Sequence, residues 1–188
     1  MKQSEIIKQL TDKELKLNLI LSQLLFLSIA IVLSVFLFDH IFDWLLFFHW
    51  DFSEIVYLGV LPGLVIVGID LVLVNVLPKS AFDDGGINER IFRNESVPYI
   101  FGISFLVALS EEMLFRGVLQ STFGYIPASI LFAIVHIRYL RKPVLFLSVL
   151  FVSLLIGYIF LLTENLWTTI VLHFVVDFLL GLYIRFKK

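Results

Sequence analysis

Apolar and polar positions in this chain fall into long blocks and do not show the short period of a half-buried helix or strand. Leu17–Phe38, Ile55–Leu77, Pro98–Gln120, Val144–Leu162 and Leu166–Ile184 are apolar runs of about 19 to 23 residues. A helix of ~20 apolar residues spans the ~30 Å hydrocarbon core of a bilayer, so each run is long enough to cross. A further run, Ala128–Ile137, is only about ten residues long, or ~15 Å at 1.5 Å per residue. Either it continues past Arg138 with the arginines snorkelling, or it is a half-length helix that opens into a water-filled cavity. The pattern predicts an all-α fold, a polytopic integral membrane helical bundle of about six transmembrane helices with a buried polar site.

The blocks between the runs predict smaller elements. Residues 1–16 mix lysines and acids around Ile6, Ile7, Leu10 and Leu15, the spacing of a short surface helix. Residues 39–50 carry Trp44, Trp50, His40 and His49 and suit an interfacial helix. In the second run Pro62 predicts a kink, and Gly59 and Gly63 predict close helix approach. Residues 79–96 are the long polar stretch, with a turn at Asp83–Gly86 and a short surface helix over 88–94. The chain divides at 97: residues 1–97 hold the surface helix, two transmembrane helices and the polar loop, and residues 98–188 hold four membrane helices. The two parts form a single structural domain.

Composition supports a membrane solvent. Sixty per cent of residues are apolar and only 16% are charged, against about 25% charged in a typical soluble domain. The net charge of −2 carries no nucleic-acid footprint. The absence of cysteine excludes disulfides, thiolate ligands, a cysteine nucleophile and lipidation at cysteine. Lysine and arginine alternate between the connecting segments: four before the first run, none in 39–53, three in 78–97, three in 138–142, none in 163–165 and three at the C-terminus. By the positive-inside rule both termini are cytoplasmic in a multi-pass protein of the cell (plasma) membrane.

One position in that tally is left over. Arg116 lies inside the third run, in Ser110-Glu-Glu-Met-Leu-Phe-Arg-Gly117. Near mid-bilayer each such charge costs at least ~2.5–3.5 kcal/mol, so three in six residues require a use. Glu112 and Arg116, four apart with the carboxylate first, suit an intrahelical ion pair. Glu111 is turned ~100° away on a 3.6-residue helix and has no local partner, which suits a general base. His136 lies at a similar depth across the hairpin that turns at 121–127. His173 is followed by Asp177 on the same helical face. Asp70, alone in the second run, reads as a neutral carboxyl hydrogen-bonded in the bundle, in preference to a proton relay. Neither Gly-x-Ser-x-Gly nor His-Glu-x-x-His is present. What remains is hydrolysis by water that Glu and His activate without a cofactor. The alternative is a zinc site built from Glu111, His136, His173 and Asp177, second because its ligands lack a diagnostic spacing.

Glu111-Glu-x-x-x-Arg116, Phe132-x-x-x-His136 and His173-x-x-x-Asp177 resemble, in order, the three motifs of the CAAX protease and bacteriocin-processing family (CPBP, or Abi). That family includes the type II CAAX endopeptidase of eukaryotes, CAAX prenyl protease 2. The similarity covers residues 98–182, and the Asn165-Leu-Trp approach to His173 is also family-like. The resemblance implies an intramembrane endopeptidase, formerly classed with metalloproteases and now with glutamic proteases. It implies that Glu111 and His136 activate the water, that His173 and Asp177 stabilise the oxyanion, and that Glu112 and Arg116 support the site. Family members often carry Asn where this chain has Asp177, and an ionised Asp cannot donate to an oxyanion. Asp177 therefore suits a role in orienting and charging His173, or is itself protonated. Members similar to the eukaryotic enzyme open their site to the cytoplasm from a first-motif helix ending on that side, whereas the charge pattern runs this helix the other way.

Expected partners are membrane lipids and a peptide or membrane-protein substrate. The resemblance implies peptide or bacteriocin maturation, self-immunity or regulated proteolysis. Two readings from other classes stand beside it: a non-catalytic bacteriocin-immunity protein that keeps the charges as scaffold, and a small transporter with a proton path through Asp70, Glu111 and the histidines.

Overall fold

The computed structural model describes residues 9–187 and is helical throughout, with no strand among the described residues. The surface helix expected at the start of the chain lies largely outside the described residues. The first long helix, α1 (Asp12–Leu37), begins at Thr11. The Thr11 hydroxyl accepts from the Glu14 amide at 3.3 Å, and the Glu14 carboxylate accepts from the Thr11 amide at 2.8 Å. This reciprocal cap satisfies two otherwise orphaned donors and starts the helix five residues before the apolar run. Helix α2 (Phe52–Val76) starts at Asp51, whose carboxylate accepts from the Ser53 and Glu54 amides at 2.9 and 3.1 Å. Its Ile55–Val60 segment is a π-helix. The wider turn immediately precedes Pro62, where a regular α-helix would lose a hydrogen bond.

Gly85 and Gly86, at φ 83° and 75°, turn the chain into the short helix α3 (Ile87–Phe92). Helix α4 (Val97–Phe123) is α-helical to Glu112 and π-helical over Met113–Gln120. Gly124, at φ 93°, a conformation open to glycine, reverses the chain into α5 (Tyr125–Val135). Helices α6 (Pro143–Thr163) and α7 (Leu166–Phe186) are joined by a tight turn in which Glu164 is left-handed. The Asn165 side chain accepts from the Trp167 amide at 3.0 Å and starts α7.

Helices α1, α2, α4, α6 and α7 are long and apolar enough to cross a membrane, and α5, with 11 residues, is not. Of the two expectations for this run, the half-length helix is observed. It ends at His136 and does not continue through Arg138. The Gln120 side chain donates to the Gly157 carbonyl at 2.7 Å, and the Tyr125 hydroxyl donates to the Leu154 carbonyl at 2.8 Å. The first ties α4 to α6, and the second, with the Ser153 hydroxyl donating to the Ser129 carbonyl at 3.1 Å, holds α5 against α6.

Contacts sort the connections onto two ends. At one end Lys16 pairs with Glu95, Arg90 with Asp12 at 2.6 Å, Arg138 with Asp84 at 4.0 Å and Lys142 with Asp83 at 3.3 Å. At the other end Trp167 meets Phe48 and Trp50, Phe47 meets Phe160, and the Asn165 amide donates to Glu54 at 3.1 Å. The segments gathered at the first end are the basic ones of the charge pattern. Helix α3 is more than a surface piece, since Ile87 and Ile91 are buried with Leu15. Trp44, expected in an interfacial helix, reaches inward instead: its indole N–H donates to the Ser34 hydroxyl at 3.0 Å and its side chain packs against the buried cluster of Ala30, Leu114, Phe115, Val118 and Phe132.

The apolar surface faces outward and much of the polar chemistry inward. Phe36, Val76 and Leu147 are exposed, whereas Gln23, Ser110, Glu111, Glu112, Arg116, Thr168, Thr169 and His173 are buried. Small residues let the backbones meet, as expected for Gly59 and Gly63. A Cβ on Gly63 would lie 2.9 Å from Val175 Cγ1, and one on Gly59 would lie 3.0 Å from the Thr168 carbonyl. Gly117 is tighter still, with Trp44 Cζ3 2.6 Å from where its Cβ would be. Gly117→Ala is therefore expected to lower stability by ~1–3 kcal/mol through overpacking. Thermal unfolding in detergent should show this loss, and Trp44→Leu in the same chain should relieve it.

Candidate active site

Glu111 and Glu112 end the α-helical part of α4, and Arg116 lies within the π-helical part, Met113–Gln120. All three are at most 4% exposed. The expected pair forms, with Arg116 Nε 3.2 Å from Glu112 Oε2. Arg116 also donates to the Ser153 carbonyl at 3.0 Å and lies 4.6 Å above the Phe132 ring. One guanidinium thus ties α4 to α5 and α6. Glu112 has a second partner that spacing did not reveal: its Oε1 lies 2.8 Å from His173 Nδ1. A carboxylate can only accept, so the proton of this bond is on His173 Nδ1. On the other side of that ring, Nε2 is 3.6 Å from Asp177 Oδ2, longer than a hydrogen bond. Glu112, placed by its sequence context in a supporting role, is the link between the first and third motifs.

His136 caps the end of α5, and its Nδ1 lies 2.8 Å from the Phe132 carbonyl. A carbonyl cannot donate, so Nδ1 carries the proton and Nε2 is left as an acceptor. The Tyr139 ring stacks on His136 at a 13° tilt, and Arg138 donates to its hydroxyl at 2.6 Å. Burial raises the Tyr139 phenol above its ordinary value, against the pull of Arg138. The ring therefore stays neutral.

Glu111 meets a residue from outside the recognised motifs. Gln23, on α1 and 4% exposed, donates from its side-chain amide to Glu111 Oε1 at 3.2 Å. The Ser110 hydroxyl lies 2.6 Å from Gln23 Oε1. Glu111 Oε2 is buried with no hydrogen-bond partner among the described residues.

Glu111, His136, His173 and Asp177 all line one cavity of about 1480 Å³. Glu111 lies 14 residues from Val97 and His173 lies 13 from Phe186, so both are ~20 Å from the same end at 1.5 Å per residue. The rim includes Asp83, Asn88, Arg93, Arg138 and Lys187, so the cavity opens at the end that gathers the basic segments. Helix α4 runs away from that end, yet its buried acids face a cavity that reaches back to it. Running direction and site opening are thus separate properties here.

Asp70 departs from expectation. It is half-buried on the cavity wall, without a hydrogen bond or ion pair among the described residues, and so is not a carboxyl satisfied within the bundle. His40 and His49 are exposed and away from the cavity. Among the described residues, no three His, Cys, Asp or Glu side chains converge in a group suited to hold a metal ion.

Buried acids, two histidines and an arginine around a cavity inside a multi-pass helical bundle define a membrane-embedded enzyme site by type. The comparisons with known proteins are specific. The model of the type II CAAX prenyl endopeptidase Rce1-like family matches residues 93–179. A Bacillus subtilis (strain 168) protein named uncharacterized protein YpbD is 37% identical over 169 residues, covering 89% of this chain and 88% of the relative. No solved structure matches. The chain belongs to the Rce1-like family of CAAX-type intramembrane proteases. The three motifs lie within the matched residues, whereas Gln23 and Asp70 lie outside them.

Proposed function

We propose that this protein is an intramembrane endopeptidase that hydrolyses a peptide bond with water activated by Glu111 and His136. The observation that carries this reading is Glu111 Oε2, a buried carboxylate oxygen on the cavity wall with no hydrogen-bond partner among the described residues. In the neighbouring acid Oε1 accepts from His173, and Oε2, which also lacks a hydrogen bond among the described residues, faces Arg116 Nε at 3.2 Å in an ion pair, so Glu111 is the carboxylate with an oxygen free of both hydrogen bond and counter-ion.

Water bound between Glu111 Oε2 and His136 Nε2 loses its proton to one of these acceptors as its oxygen attacks the substrate carbonyl. The tetrahedral intermediate carries the charge on the former carbonyl oxygen. His173, anchored through Nδ1 by Glu112, presents an N–H at Nε2 to that oxygen. Asp177 orients the ring from the side. Collapse of the intermediate breaks the C–N bond, and the proton held by Glu111 or His136 passes to the leaving amine. No covalent enzyme intermediate is formed. The end bearing the basic segments faces the cytoplasm of a plasma-membrane protein, and the substrate enters from that side. Peptide or bacteriocin maturation and self-immunity fit such an activity.

Full-length protein in proteoliposomes should cleave members of a quenched-fluorescence peptide library. His136→Ala should reduce the rate ~100-fold or more. Phenanthroline at excess should leave the rate unchanged. Activity lost to the chelator and restored by zinc would instead favour the metal site of Glu111, His136, His173 and Asp177. Wild-type rates in His136→Ala would rule out the water-activation scheme.

A further inference from the structure

We propose that Gln23, on the first transmembrane helix, is a positioning residue for Glu111. It holds Oε1 of that carboxylate so that Oε2 alone is presented to the cavity. The inference rests on the reading of Glu111 as the base and adds a residue from outside the three motifs.

Three observations converge. First, the amide orientation is determined by its neighbours. The Ser110 hydroxyl can donate to Gln23 Oε1 across 2.6 Å. An ionised Glu111 can only accept, so the Gln23 NH₂ faces it at 3.2 Å. Reversing the amide would set its oxygen against a carboxylate oxygen, which is repulsive. Second, the donation from Gln23 is the sole hydrogen bond that Glu111 Oε1 accepts among the described residues. Without it, neither oxygen of a buried carboxylate would have a protein donor. Third, Ser110 and Gln23 are themselves at most 4% exposed and set in the packing between α1 and α4. The amide therefore has a fixed origin. A long glutamine in a transmembrane run is costly unless it is hydrogen-bonded, and this one is bonded at both of its polar atoms.

Fixing one oxygen of a general base does two things. It removes rotational freedom about the carboxylate bond, so Oε2 lies where the water must be. It also occupies Oε1, so the water meets one free oxygen and not two. Both effects act on turnover more than on substrate binding. Gln23 touches no reacting atom in this scheme.

The test compares Gln23→Met, which keeps chain length and apolar packing but removes the donor, with wild-type full-length protein in lipid. Infrared difference spectra, with Glu111→Gln to assign the band, should show the Glu111 carboxylate stretch shifted in frequency in Gln23→Met, because Oε1 has lost its donor. In peptide-library cleavage the same variant should lose ~10-fold or more in kcat with KM little changed. An unshifted Glu111 band, or wild-type kcat in Gln23→Met, would overturn the proposal and leave Gln23 as packing. A shifted band in a protein whose Glu111→Gln variant still cleaves would instead uphold the contact and reject Glu111 as base, so the two readings fail separately.

Discussion

Glu111→Gln is expected to abolish peptide hydrolysis, with a loss of ~10²–10⁴-fold in kcat, in a protein that folds as well as wild type. The substitution keeps the shape and volume of the side chain and still leaves an oxygen to accept from Gln23. It removes only the charge and the capacity to accept a proton. Because Glu111 makes no ion pair among the described residues, neutralising it leaves no paired cation stranded, and stability should be unchanged or slightly raised. Single-turnover cleavage and thermal unfolding of the same preparation measure both arms. A variant that unfolds, or one that retains a tenth of wild-type activity, would show that this carboxylate does not have the role assigned.

Arg116→Met should do the reverse, lowering stability by ~3–5 kcal/mol because Glu112 would be buried without its counter-ion. Arg116 is 1% exposed and Glu112 is fully buried. The guanidinium also donates to the Ser153 carbonyl at 3.0 Å, so its loss removes a tie between α4 and α6. Adding Glu112→Gln to Arg116→Met should recover part of the loss, since the uncompensated charge is removed. The recovery appears as a coupling energy in a double-mutant cycle followed by denaturant unfolding in detergent. Strict additivity of the two substitutions would refute the pairing as an energetic unit. Glu112→Gln alone also weakens the anchor of His173 and should reduce activity.

These two expectations separate residues that lie side by side in sequence, and the separation was partly legible there. A carboxylate four residues before an arginine on one helix announces its pair, and Glu111 is left over by rotation alone. Long apolar runs and the spacing of Lys and Arg likewise gave the helices and the two ends of the bundle. The shortness of the run before Arg138 leaves two readings, a helix that continues past the arginines or a half-length one, and the half-length α5 is the one observed. What could not be read is tertiary. Gln23 is one of several polar residues in the first apolar run, beside Asn18, Ser22, Ser28 and Ser34, and no local pattern says which faces α4. Its partner is 88 residues away. The contact of Glu112 with His173 spans 61 residues and depends on how α4 and α7 are rotated against each other. The π-helical segment that carries Arg116 has no signature in hydrophobic period. Trp44 was drawn to the interface by its amphipathic ring, yet a glycine on α4 leaves it a slot inside the bundle.

The outward-facing apolar surface and inward-facing polar residues have a thermodynamic consequence. In a water-soluble domain, unfolding exposes apolar area to water, and a large positive heat-capacity change follows. Here helices that separate within the bilayer exchange contacts with one another for contacts with acyl chains that are equally apolar. Little apolar area meets water in either state. The heat capacity of unfolding within the membrane should therefore be small for the chain length, and the stability curve shallow with temperature. Such a bundle is held by close backbone approach at glycines and by the polar groups it must keep satisfied. The residues that serve the chemistry are thus among those that hold the helices together.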